Sequence, residues 1–196
     1  MLASASPARL RLLRDAGLDP TVRASDVDES GVHGVDPRAH VQALATLKAS
    51  TVAAALAATG ASDPLVLGCD SMLLLDGELL GKPADPAEAT ARWLTMRGRS
   101  GCLLTGHSLI DTRTGDSRHD VAETTVHFGC PSEQEIEAYV ASGEPLQVAG
   151  AFTLDGRSAP FLAGIDGDAG NVIGLSLPLL RELLAGLGVR LVDLWC

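Results

Sequence analysis

Two cations, Arg9 and Lys48, stand where their residue type is at odds with their surroundings, and Asp70 and Lys82 are further candidates for the same chemistry. In the segment from Pro7 to Ala16, at about 100° per residue around a helix, Leu10, Leu12, Leu13 and Ala16 fall on one side and Arg11, Arg14 and Asp15 on the other. Arg9 lies in the middle of the apolar side and in the first turn, where the positive end of the helix dipole repels cations. An anion bound there resolves both conflicts, because helix N-terminal N–H groups and a guanidinium fork suit phosphate. The alternative is an Arg9 that snorkels or pairs with a structural carboxylate. Lys48 repeats the conflict in the centre of a stripe formed by Val41, Leu44, Ala45, Val52 and Ala55. A buried ammonium must meet an acid or a ligand anion, and a purely structural ion pair remains open. Asp70, in Gly68-Cys69-Asp70-Ser71, follows the apolar run Leu65 to Cys69 and is expected at the carboxyl end of a strand. There a carboxylate is placed to bind a metal or activate water, unless it is only a turn residue. Lys82, in Gly81-Lys82-Pro83, adds a third cation or is an ordinary surface lysine.

Other chemistries fail on spacing. Gly106-His107-Ser108 and Gly174-Leu175-Ser176 lack the closing glycine of a nucleophile elbow. Asp166 to Gly170 opens like a calcium loop, but its twelfth position is Leu177. No phosphate-loop sequence and no dinucleotide-binding glycine pattern occurs, and His33, His40, His107, His119 and His127 show no metal-ligand spacing, which assigns them to surface or packing.

The elements that must position these residues alternate. Ser6-Pro7 starts a helix that Gly17 stops, Asp36-Pro37 opens a long Ala-rich helix ending at Gly60, and Asp85-Pro86 caps a third helix reaching about Arg97. Pro64 leads into the Leu65–Cys69 strand, and Asp76-Gly77 is a hairpin turn. Strands are expected over Cys102–Ile110 and Asp120–Phe128, around the turn Thr114 to Ser117. Ser132 and Glu135 form a capping box for a helix ending at Gly143. Gly150–Asp155 and Ala159–Ile165 read as a strand pair, and Pro178–Leu184 as a last helix. Helices mixed with hairpins predict an α/β fold with a mixed sheet, and no linker or repeat divides residues 1–196, which read as a single domain.

Composition narrows the partners. With 25 acidic and 15 basic residues in 196, the formal net charge is -10, the wrong sign for coating a nucleic-acid polymer or an anionic membrane. Aromatic content of 3% leaves little for base-stacking platforms. Cys69, Cys102, Cys130 and Cys196 have no paired spacing and read as reduced thiols. Met1 to Pro7 lacks the pattern of a secretion signal and no apolar run is read as long enough to cross a bilayer, so the expectation is a soluble, cytoplasmic chain.

These separate oddities fall on the motifs of one family. Leu2-Ala3-Ser4-Ala5-Ser6-Pro7-Ala8-Arg9, Val27-Asp28-Glu29, Leu44 to Ala49, Gly68-Cys69-Asp70-Ser71, Asp76-Gly77-Glu78 with Gly81-Lys82-Pro83, Val148 to Phe152 and Val172 to Leu175 occur in order. In this the chain resembles the Maf proteins, nucleoside triphosphate pyrophosphatases once described as septum formation inhibitors. The resemblance implies a two-lobed mixed-sheet α/β fold of the Maf/inosine-triphosphatase type with a cleft between lobes. It implies Asp70 as the catalytic carboxylate, Glu29 and Asp70 as ligands of a divalent metal cation (Mg²⁺ or Mn²⁺), and Ser4, Arg9, Glu29, Lys48 and Lys82 as substrate-binding residues. Ala8, where the family has a first Arg, Ser71, and Asp155, where Gln or Glu is typical, are candidates for base specificity. The implied reaction is the metal-assisted conversion of a nucleoside triphosphate, modified or non-preferred ones included, to nucleoside monophosphate and pyrophosphate. A non-catalytic nucleotide-binding regulator of cell division and a general phosphatase are the competing readings. The base, the metal and the choice between monomer and homodimer stay open.

Overall fold

Local signals account for most of the helix boundaries in the computed structural model, which describes residues 1–29, 31, 32, 36–60 and 65–196. Helix α1 (Pro7–Asp15) begins at Ser6, whose side chain accepts from the Arg9 amide, and α2 (Pro37–Thr59) begins at Asp36 and ends on the left-handed Gly60. Helix α3 (Pro86–Met96) is capped by Asp85, and α4 (Glu133–Ala141) carries the full Ser132/Glu135 capping box. Each such cap is worth about 1 kcal/mol because it satisfies an amide that has no partner within its helix. The short α5 (Ala169–Ile173) was not anticipated, and α6 (Leu177–Gly186) starts one residue before the expected Pro178, at the Ser176 cap.

Strands β1 (Leu65–Leu75), β2 (Glu78–Leu80), β3 (Ser100–Asp111), β4 (Ser117–Phe128) and β5 (Leu162–Asp166) form one sheet in the order β2-β1-β3-β4-β5. The β1–β2 and β4–β5 ladders are antiparallel, and Leu2 adds parallel bridges to Leu67 and Val22. Asp76 and Gly77 both have positive φ, at 52° and 86°, as a two-residue hairpin turn between twisted strands requires.

Three expectations are corrected. The first strand does not end before Asp70. It runs on to Leu75, because Met72 to Leu75 continue the apolar run into the hairpin, so Asp70 lies within the strand. Gly150–Asp155 is not a strand: Gly150 and Ala151 have φ of 70° and 61°, which no extended ladder accepts, and Phe152 turns into a core instead. Its supposed partner contributes only β5, after a turn of 3₁₀ helix at Ala159–Phe161. Finally, α2 is long and apolar enough, by length and composition alone, to cross a membrane. Its Ala49, Val52 and Leu56 are packed with Ala3 and Val66. Pro64 and His33 lie outside the described residues.

The chain divides into two compact units. The first comprises Met1–Asp70, Thr105–Ala122 and Gly174–Cys196. In it, Leu2, Leu13, Leu67, Cys69, Leu109, Leu175 and Leu184 form one buried cluster. His107 is wholly buried, and its Nε2 accepts from the Ser176 amide at 2.9 Å, so it serves packing as expected. At the end of β3 the Asp111 carboxylate accepts from the side chain and backbone amide of Arg113, and these bonds pull its pKa down to about 2. Since that value lies below the unfolded one, Asp111 stabilises the fold above about pH 4 and the contribution disappears as pH falls toward 2. Asp111→Asn is therefore expected to lower the thermal midpoint by roughly 2 °C at pH 7, Arg113 being exposed, with the difference vanishing near pH 2 in paired melting curves.

The second unit comprises Ser71–Leu104 and Glu123–Ile173. Its centre is the wholly buried Trp93, which meets Phe128, Tyr139 and Phe161 edge-on with centroids 5.7–5.9 Å apart. Pairs of this geometry contribute about 0.5–1.5 kcal/mol beyond burial. The indole N–H donates to the Ala151 carbonyl at 2.8 Å, which ties the left-handed Gly150–Ala151 turn to α3. The few aromatics of this chain are thus spent largely on one core.

Candidate active site

The first unit brings five of the expected residues into two groups. Lys48 sits near the middle of α2, and the side chain leaves the helix on its buried face beside Ala45, Ala49 and Val52. Its Nζ meets Asp70 Oδ1 on β1 at 2.6 Å and Glu29 Oε1 at 2.8 Å. Exposure of the three side chains is 14% for Lys48, 11% for Asp70 and 46% for Glu29, so the cluster is walled on the Asp70 side and open on the Glu29 side. Glu29 lies in an irregular segment, which explains why no periodicity could reveal it.

α2 reaches Asp70 so closely because Gly68 has no side chain. A Cβ there would stand 2.4 Å from the Ala45 carbonyl oxygen and 2.7 Å from the Ala49 nitrogen. Gly106 on β3 does the same under Val41, at 2.3 Å from its carbonyl oxygen. Two glycines thus let one helix lie against the sheet and aim Lys48 at the acid.

The second group surrounds Arg9. Its Nε donates to the Gly174 carbonyl at 2.7 Å, and Nη1 donates to Ser4 Oγ at 3.0 Å. Ser4 is buried, and its Oγ also accepts from the Ser6 amide at 3.2 Å, next to the helix cap. Both of these anchors are neutral groups that fix the plane of the guanidinium. Gly174 was not singled out from the sequence, although it lies in the Val172–Leu175 motif. Its carbonyl role leaves no signal in residue type.

Cys69 precedes Asp70 on β1 and is wholly buried. Burial pushes its thiol up to about 11; Arg9 opposes that rise, Asp70 adds to it, and Lys48 opposes it. All three charges are therefore felt at one strand position. The thiol itself is protonated at neutral pH and is no nucleophile.

Asp70 Oδ2 is buried and accepts no hydrogen bond from any described residue. Together with the Glu29 carboxylate it offers hard oxygen donors, while no group of three His, Cys, Asp or Glu side chains gathers among the described residues. Such a set fits Mg²⁺ or Mn²⁺ held by one or two carboxylates and completed by ligand oxygens and water, and it does not fit a structural zinc site. Ala8 is half-buried in α1 beside Arg9, and Ser71 follows Asp70 on β1. Lys82 and Asp155 are exposed residues of the second unit, Lys82 after β2 and Asp155 in the loop from Thr153 to Ser158.

The chain is 63% identical to a nucleoside triphosphate pyrophosphatase of Streptomyces coelicolor over all of its own length and 93% of that protein. It is 60% identical to one of Streptomyces avermitilis over the same shares, and 53% identical to one of Rhodococcus jostii, covering 95% of it. The profile of the family described as Maf-like protein matches residues 1–187. With that match spanning nearly all of the chain and relatives at 53–63% identity, the chain belongs to the Maf-like family.

Proposed function

We propose that this protein hydrolyses nucleoside triphosphates to nucleoside monophosphate and pyrophosphate. The observation that carries the reading is the Lys48 ammonium drawn between Asp70 and Glu29, with Asp70 Oδ2 left as an open acceptor. A binding module needs cations but has no use for a buried acid turned toward its ligand. The names of the relatives support the same activity.

Charge balance supports a cation requirement. Arg9, Lys48 and Lys82 exceed Glu29 and Asp70 by a single charge, whereas a nucleoside triphosphate carries about four negative charges near neutral pH. A divalent ion held by Asp70 and Glu29 would supply that missing positive charge and polarise phosphate oxygens when bound.

The chain's own residues do the rest. Lys48 fixes the rotamer of Asp70 through Oδ1, which leaves Oδ2 to orient a water and accept its proton as it attacks the α-phosphorus. Arg9, held rigid by Ser4 and Gly174, binds phosphate oxygens together with Lys48 and Lys82. Charge grows on the departing pyrophosphate in the transition state, and preorganised cations stabilise it with no reorganisation at that moment. Ala8, Ser71 and Asp155 are the positions proposed to choose the base, with methylated or deaminated triphosphates among the candidate substrates.

The test is product identification. The protein is incubated with common, methylated and deaminated nucleoside triphosphates plus Mg²⁺ or Mn²⁺, and products are resolved by ion-exchange chromatography. Monophosphate and pyrophosphate are expected, with turnover lost on chelation. Orthophosphate release would indicate a phosphatase, and binding without turnover a regulator; either result overturns the proposal.

A further inference from the structure

The loop that carries Lys82 is clamped from both sides by side chains and amides that the reaction itself does not call for. On one side the Gly81 carbonyl accepts from Arg92 Nη1 at 2.6 Å and from the Gly150 amide at 3.0 Å. On the other side the Ala84 amide donates to Glu88 Oε2 at 2.8 Å. The two halves are joined, because Glu88 Oε1 accepts from Arg92 Nη2 one helical turn along α3. Glu88 is the third residue of α3, where a capping box would return its carboxylate to the Asp85 amide. Here the carboxylate reaches one residue further out and takes the loop instead.

Within this clamp, Lys82 is exposed, and its ammonium pairs with no described residue. Arg92, by contrast, is only 13% exposed at its side chain. The chain therefore commits a largely covered arginine and a carboxylate to immobilising a backbone whose one charged head group is left to solvent. Stapling the loop for stability alone would not require a lysine between the two anchors. We propose that Arg92, with Glu88, is a positioning residue for Lys82, setting where its ammonium meets the pyrophosphate half of the substrate. The inference rests on the phosphate-binding role given to Lys82 above. Arg92 itself touches no substrate in this scheme, so its whole effect on phosphate binding must pass through Lys82.

Calorimetric titration with inorganic pyrophosphate in the presence of Mg²⁺, and separately with the nucleoside monophosphate product, tests this on the full chain. Lys82→Ala is expected to weaken pyrophosphate binding about 20-fold and Arg92→Ala about 10-fold, as for loss of one charge-assisted contact or of its placement. The double variant should be no weaker than Lys82→Ala alone, and monophosphate affinity should be unchanged throughout. Arg92→Lys, which keeps the charge but not the fork, should lose roughly threefold while melting like the parent, and it carries the test if Arg92→Ala fails to fold. If the double variant loses the product of the single effects, or if Arg92 variants weaken both ligands alike, the positioning role is overturned while Lys82 keeps its own. If Lys82→Ala binds pyrophosphate like the parent, the phosphate-binding reading of Lys82 fails, and the positioning role with it.

Discussion

Asp70→Asn is expected to lower kcat by about 10³-fold while leaving a folded protein, the usual scale for losing a positioned general base. The amide preserves the shape of the side chain but cannot take a proton from water at Oδ2, and it removes the negative partner 2.6 Å from Lys48. The structural cost is bounded. Breaking a fully buried ion pair costs about 3–5 kcal/mol, but Lys48 retains Glu29, which opens to solvent, so about 1–2 kcal/mol is the expected loss. Steady-state kinetics with a fixed metal concentration, together with urea unfolding, separate the two effects. Activity within tenfold of the parent would remove Asp70 from the chemistry.

Gly68→Ala is expected to disturb the packing of the first unit and its site together. Its Cβ would stand 2.4 Å from the Ala45 oxygen and 2.7 Å from the Ala49 nitrogen, both main-chain atoms of α2 that cannot swing away. The helix must move as a body, at a cost of about 3 kcal/mol, the upper end for overpacking. Lys48 lies between those two residues, so the same displacement pulls its ammonium off Asp70. A misplacement approaching 1 Å at a reacting group lowers kcat/KM by up to about 100-fold. Gly164→Ala, where an added Cβ meets nothing within 4 Å, is the matched control and should be near neutral. A Gly68→Ala protein with parental stability and activity would show that α2 is not held at this distance by the glycine.

What the sequence determined by itself is local. Ser6, Asp36, Asp85 and Ser132 each announced a helix start, because a cap is a contact between residues three apart that folds no differently in a peptide. The Asp76-Gly77 turn was legible for the same reason, since only a few residue types accept positive φ. Arg9 and Lys48 stood out because a charge inside an apolar stripe contradicts helical periodicity.

The tertiary structure decided what lies between those elements. Lys48 and Asp70 are 22 residues apart, on a helix and a strand, and their meeting depends on Gly68 and Gly106, whose contribution is an absent atom that no residue-by-residue pattern can register. Glu29 joins them from an irregular segment, and the Gly150–Ala151 turn reads as a strand in sequence because its left-handed backbone is imposed by the Trp93 core. Arg9 pointed toward an anion on its own, but its orientation is set by the Gly174 carbonyl, 165 residues away. A main-chain oxygen is the same in every residue, so only the folded chain could select this one.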